Sequence, residues 1–271
     1  YDWFTQTNTY EIEFLDITLS SLCNLKCRMC NPSLSSQWLK ERHLQKNLDF
    51  NMKGFDKTEV FDVLTDEFLE YIKSVKTLRR IILKGGEPLM HPRLTEFLEN
   101  IQNKHNIELQ FITNGTQSLS KDLQNTLNKF KTLEIFFSIE AAGKMYNYIR
   151  GGKYSAMQVV DNFLNYKKQL KNANMQWIYT ANIYGVFCFD ELQDMLKNRC
   201  NFELNKTDFG QIVLNPVFLN PFIISDNIRQ EISYNSKYKN YKEFILTKPA
   251  LLDINENDRM INLQRFVNYN T

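Results

Sequence analysis

A chain of 271 residues with 43% hydrophobic side chains can bury a sizeable core, as one large domain or as a domain with an appendage. Its formal net charge is +2, with acidic and basic residues interspersed, so no nucleic-acid surface is indicated. No apolar run approaches the roughly 18 residues of a membrane span, and no basic-then-apolar signal segment opens the chain.

Residues 13–19, EFLDITL, alternate as a strand, with Leu15, Ile17 and Leu19 on one face. A cysteine-bearing loop follows, and Pro32 precedes a helix expected from about Ser33. A second helix is expected over 65–75. RRIILKGG reads as a short buried strand closed by a glycine pair, and Leu94, Phe97, Leu98 and Ile101 mark a helix. The strand IELQFIT (107–113) ends in the turn pair Asn114 and Gly115. Leu119, Leu123, Leu127 and Phe130 mark the next helix. LEIFFSIE is a fourth strand, with Leu133, Ile135, Phe137 and Ile139 on one face and Ser138 and Glu140 on the other. YNYIRGG is assigned no element beyond its Gly-Gly turn. Ala156, Val159, Val160, Phe163 and Leu164 mark a helix, MQWIYTANIYG a fifth strand, DELQDMLKNRC a helix and FGQIVLN a sixth strand.

Such alternation argues for an α/β fold with a parallel sheet. Beyond Pro216 and Pro221 the chain turns rich in Asn, Tyr and Lys, with helical stretches near 226–245 and 250–266. The expected division is a core domain over 10–220 and a mainly helical C-terminal extension over 221–271.

Five cysteines is an odd count, and Cys23, Cys27 and Cys30 fall within eight positions. That spacing is too tight for a disulfide framework and fits a reducing, cytoplasmic setting. It lets three thiolates converge from a single loop. A structural zinc site normally closes with four ligands, yet Cys188 and Cys200 are distant, and His43, His91 and His105 show no paired spacing with the loop. Three thiolates suit an iron–sulfur cube that leaves one iron open. A zinc-stabilised binding module is the alternative.

CNLKCRMC resembles the CxxxCxxC signature of the radical S-adenosylmethionine (SAM) enzymes. The resemblance implies a partial (β/α)6 barrel in which Cys23, Cys27 and Cys30 hold a [4Fe–4S] cluster whose open iron chelates SAM. It casts Gly85, Gly86, Glu87 and Pro88 as the segment that meets the SAM amino group, a protonated amine in need of acceptors. Ser138 and Glu140 resemble the polar pair that serves the SAM ribose, with Glu140 standing where Asp is more usual. Arg150 is similar to an arginine that reaches the SAM carboxylate. Asn114 and Asn182 stand where family members end strands near SAM, and Met29 where a bulky residue meets adenine.

CNLKCRMCNPSLSSQW and NPVFLNPF are most similar to the branch with SPASM or twitch extensions, many of whose members modify peptides or proteins. Those extensions hold an auxiliary cluster on further cysteines. No cysteine follows Cys200, so none of that type is expected. The activity implied is reductive cleavage of SAM to a 5′-deoxyadenosyl radical that takes hydrogen from a peptide, nucleotide, sugar or other metabolite. The electron would come from a reductant such as flavodoxin or ferredoxin. A catalytically inactive SAM-binding scaffold is the remaining alternative. Phe218, Phe222, Tyr234, Tyr238 and Tyr241 are placed to close the open side of the barrel, and Cys188 or Cys200 to act as hydrogen donor.

Overall fold

The structure, a computed structural model, describes residues 11–41, 60–205, 208, 211–213, 217–247 and 256–270. Five parallel strands pair in sequence order: β1 (Phe14–Thr18), β2 (Arg80–Lys84), β3 (Glu108–Thr113), β4 (Thr132–Ser138) and β5 (Ala173–Ile178). Between them run α1 (Ser36–Lys40), α2 (Asp66–Ser74), α3 (Leu94–Asn100), α4 (Lys121–Leu127), α5 (Gly143–Arg150) and α6 (Ala156–Gln169). The fold is α/β, consistent with a partial barrel.

Alternation along the strands makes two unlike faces. Ile81, Leu83, Leu109, Phe111, Leu133, Ile135 and Phe137 are fully buried, with the helices' apolar sides packed among them. The opposite face carries charged and polar side chains beside Ile82, Ile112 and Phe136. There Lys84 meets Asp16 at 2.6 Å, and Arg80 reaches Gln110 at 2.8 Å and Glu134 at 3.3 Å.

The single fifth strand expected over 175–185 is divided. β5 stops before Tyr179, and the two-residue β6 (Thr180–Ala181) changes partner, pairing in parallel with β7 (Gln211–Ile212). Asn182 then ends the strand, because its Oδ1 accepts from the backbone N–H groups of Tyr184 and Gly185. Of the sixth strand expected over 209–215, only β7 is strand among the described residues.

Helix α5 departs from expectation. Tyr146, Ile149 and Arg150 are its buried side, and Gly151 ends it at φ +60°. The apolar spacing was present in the sequence, but two polar residues and the Gly-Gly pair obscured it. After α7 (Phe189–Cys200), the tail forms α8 (Asp226–Asn235), α9 (Lys239–Leu246) and α10 (Glu256–Asn270). The helix expected over 226–245 is broken at Ser236, whose hydroxyl donates to Asp190 of α7. Tyr238 and Lys237 reach Asp194 of the same helix, and Tyr241 donates to the Val186 carbonyl.

Candidate functional site

A cavity of about 520 Å³ opens where β1, β2, β3, β4 and β6 end. Ligands of parallel α/β sheets bind beyond the carboxyl ends of strands. All three clustered thiols line it, together with Met29, Gly85, Gly86, Asn114, Ser138, Glu140 and Arg150. Thr18, Lys84, Ile112, Thr113 and Thr180 complete the strand side, and Leu25, Asn31 and Leu34 the loop side. A second cavity, about 360 Å³ and lined from Val186 to Tyr241, holds none of the cysteines.

The cysteine loop is held from four directions. Ser36, beginning α1, accepts from the Cys23 N–H at 3.1 Å and donates to the Cys23 carbonyl at 3.0 Å. Trp38 Nε1 donates to the Cys27 carbonyl at 2.8 Å, and Ser35 Oγ to the Leu25 carbonyl at 2.6 Å. From β2, the Gly86 and Glu87 N–H groups donate to the Ser20 and Leu22 carbonyls at 2.9 and 2.8 Å. A Cβ on Gly86 would lie 2.4 Å from the Leu22 oxygen, so only glycine permits this approach.

From the end of β3, Asn114 Nδ2 donates to Asn24 Oδ1 at 3.0 Å, and Asn24 Nδ2 to Thr116 Oγ1 at 2.8 Å. From α5, the terminal carbonyls of Ile149 and Arg150 accept from the Arg28 and Lys26 N–H groups at 2.8 and 3.2 Å. The loop thereby satisfies the unpaired carbonyls of a helix end. Asn24, Ser36, Trp38 and Thr116 escaped the sequence reading; Asn24 lies inside the cysteine motif and Ser36 and Trp38 just beyond it, but their partners are distant in sequence.

Burial pushes the Cys23 and Cys30 thiols up to about 12 and raises Cys27 as well. Against that, the Arg150 guanidinium, with Nη1 3.8 Å from Cys27 Sγ, favours the Cys27 thiolate. Such thiols release protons when they bind metal. The Tyr146 hydroxyl is buried without a hydrogen-bond partner and feels the charges of Arg150 and Cys27. Arg150 and Glu140, 5% and 2% exposed, form a two-point ion pair: Nη2 to Oε1 at 2.7 Å and Nε to Oε2 at 2.5 Å.

Glu87 stands behind the cavity wall. Its carboxylate accepts from Asn114 N at 2.6 Å, Thr113 Oγ1 at 2.8 Å and Leu89 N at 3.2 Å. Burial nevertheless raises it to about 7. Pro88 is buried in the turn that follows. Neither borders the cavity, and Asn182 does not either, its amide being spent within the turn after β6. The Cys188 thiol faces the Tyr184 and Gly185 carbonyls, and neither it nor Cys200 lines the cavity. Of the tail aromatics, Tyr234 is 85% exposed, while Phe222 and Tyr241 are buried and Phe189 of α7 stacks on Tyr241; none lines the cavity.

The donor set fits a cube better than a single ion. Three thiols share one cavity, yet among the described residues no three Cys, His, Asp or Glu side chains gather to hold one metal ion. A four-iron cluster takes its thiolates on separate irons. His91, which shows no paired spacing with the loop, is bonded to Asp62 at 2.9 Å and to the Arg93 N–H at 3.1 Å.

The Radical SAM superfamily model matches residues 17–196, which include this whole constellation. The chain belongs to the radical SAM superfamily. The cofactors of the family are a [4Fe–4S] cluster and SAM, and its members here are enzymes. A GTP 3′,8-cyclase of Helicobacter pylori is 29% identical over 120 residues, 42% of this chain and 32% of that protein. The chain thus matches about a third of the length of that cyclase. A 7-carboxy-7-deazaguanine synthase of Clostridium acetobutylicum is 25% identical over 213 residues, covering 72% of this chain and 84% of the synthase. Among solved structures, native anSMEcpe with bound AdoMet and Cp18Cys peptide superposes with a TM-score of 0.49 at 17% identity, over 82% of this chain and 57% of that one. Among the described residues no helix is long and apolar enough to cross a membrane.

Proposed function

We propose that Cys23, Cys27 and Cys30 hold the [4Fe–4S] cluster, that SAM occupies the adjoining cavity, and that the chain abstracts hydrogen from a substrate laid against the face of the sheet that carries the charged pairs. The observation that carries this reading is the meeting of three thiols from one loop with Gly85, Gly86 and the strand ends around one cavity. When bound and reduced by one electron from a donor such as flavodoxin or ferredoxin, the cluster and SAM supply a 5′-deoxyadenosyl radical.

The residues divide that task. Gly85, at φ +143°, and Gly86 bring bare backbone to the cavity, where its polar groups suit the SAM amino group. Ser138 offers a hydroxyl to the ribose side and Met29 a polarizable thioether to the adenine, while Asn114, its amide bonded to Asn24 and Thr116, holds the cavity edge. Glu87 and Pro88 act from behind the wall, fixing the ends of β2 and β3. Asn182 shapes the turn after β6. Leu25, Leu34 and Ile112 are the apolar part of the wall and exclude water from a site where a radical must be sheltered. The substrate faces the Asp16–Lys84 and Arg80–Glu134 pairs, a polar floor without net charge.

Anaerobic reconstitution with iron and sulfide tests the ligand assignment. About four irons and four sulfides per chain are expected, and SAM should alter the electron paramagnetic resonance (EPR) spectrum of the reduced cluster. The variant with Ala at Cys23, Cys27 and Cys30 should assemble none; a full cube in that variant overturns the assignment.

A further inference from the structure

We propose that Glu140 is a positioning residue: it clamps the Arg150 guanidinium against Cys27, so that this cation sets the reduction potential of the cluster. The inference rests on the cluster assignment above and goes beyond it. Glu140 is thereby given a role other than ribose contact.

Glu140 Oε1 accepts a hydrogen bond from Arg150 Nη2, and Oε2 lies 2.5 Å from Nε as an ion contact outside hydrogen-bond geometry. The guanidinium turns its third nitrogen, Nη1, to Cys27 Sγ at 3.8 Å. A guanidinium is a rigid fork, so fixing two of its nitrogens fixes the direction of the third. The backbone removes the remaining freedom. Arg150 is the last residue of α5, and its carbonyl and that of Ile149 are bonded to the N–H groups that flank Cys27, those of Lys26 and Arg28. Gly151, at φ +60°, lies so close to Lys26 that a Cβ would come within 2.7 Å of its carbonyl oxygen. Helix end and cysteine loop are therefore held as one body.

A buried ion pair is a weak source of stability, since desolvation offsets most of the attraction. Stability alone gives little reason to place one in a cavity wall against a metal-binding thiol. Electrostatics gives a better reason. Adding an electron makes the cluster more negative, and a cation 3.8 Å from one ligand sulfur stabilises that state. Glu140 opposes it, but its effect on Cys27 is the smaller of the two.

The order of midpoint potentials follows. E140Q removes the opposing charge while Gln keeps a carbonyl to accept from Arg150, so the potential rises above wild type. The double variant E140Q/R150Q removes both charges and leaves no buried ion unpaired, so it folds; its potential falls below wild type. E140D keeps charge and acceptor, and returns the potential toward wild type.

The test is an EPR-monitored redox titration with dithionite on the reconstituted full chain, without SAM, alongside iron and sulfide content. The order E140Q, wild type, double variant, from highest potential to lowest, supports the proposal. Coincident wild-type and double-variant potentials overturn it, as does a double variant above wild type. An E140Q variant that leaves the potential unmoved also overturns it. A wild-type chain that assembles no cluster defeats the reading of the preceding subsection instead, so the two failures are distinguishable.

Discussion

Replacing Gly86 by Ala probes the closest approach in the site. The new Cβ would sit 2.4 Å from the Leu22 oxygen, 2.8 Å from its carbon and 2.9 Å from the Ser21 oxygen, all backbone atoms. Ordinary contact begins near 3.4 Å, so the loop must retreat by about 1 Å, the difference between 3.4 and 2.4. That retreat carries the Gly86–Ser20 and Glu87–Leu22 hydrogen bonds, now 2.9 and 2.8 Å, beyond bonding range. Each is worth about 1 kcal/mol, and overpacking adds about 1–3 kcal/mol. A loss of about 3–5 kcal/mol is expected in urea unfolding of the metal-free protein, with cluster assembly impaired in parallel. Gly152→Ala is the control, because its nearest neighbour is the end of the Leu25 side chain, at 2.6 Å, and a side chain yields where a backbone does not. It should lose less than about 1 kcal/mol. A Gly86→Ala protein that unfolds at the wild-type urea concentration refutes this account of the loop's anchorage.

Glu87 gives a pH signature. Its folded value is about 7 against an ordinary 4.5, so between those values the folded state binds more protons than the unfolded one. Stability of the metal-free protein therefore falls as pH rises through that window, by up to about 3 kcal/mol. Urea unfolding of Glu87→Gln from pH 4.5 to 7.5 should lack this component; parallel wild-type and variant pH profiles would contradict it. Ser36→Ala strands the buried Cys23 N–H, while the Cys23 carbonyl keeps Gln37 Nε2 at 3.3 Å, and should cost about 1–3 kcal/mol. Denaturation at a single pH measures it, and no loss would mean that α1 does not hold the loop. Cys188→Ala, away from the cavity, should leave iron content at the wild-type level, whereas a drop would place that thiol in the cluster's environment.

The cysteine loop, the Gly85–Gly86 turn and the strand ends at Asn114 and Ser138 were legible because each is a local pattern: a spacing, a glycine pair, an alternation. The sheet was legible for the same reason, up to Tyr179. There the strand changes partner, which is a tertiary event that no local pattern announces. Glu87, Asn182 and Arg150 were singled out as residue types, but their side-chain directions depend on tertiary contacts that no local pattern shows. The Asn114 N–H lies 27 positions from Glu87. Helix α5 was missed because its packing side is only three residues wide and carries an arginine. That arginine is the residue its burial most needed to explain.

The central claim is that this chain cleaves SAM at a cluster held by Cys23, Cys27 and Cys30. The most direct measurement is anaerobic incubation of the reconstituted protein with SAM and dithionite, followed by mass spectrometry for 5′-deoxyadenosine, with the triple Cys→Ala variant alongside. The account predicts 5′-deoxyadenosine from the wild type and none from the variant. An intact cluster that binds SAM and still yields no 5′-deoxyadenosine, or equal yields from both proteins, would contradict it.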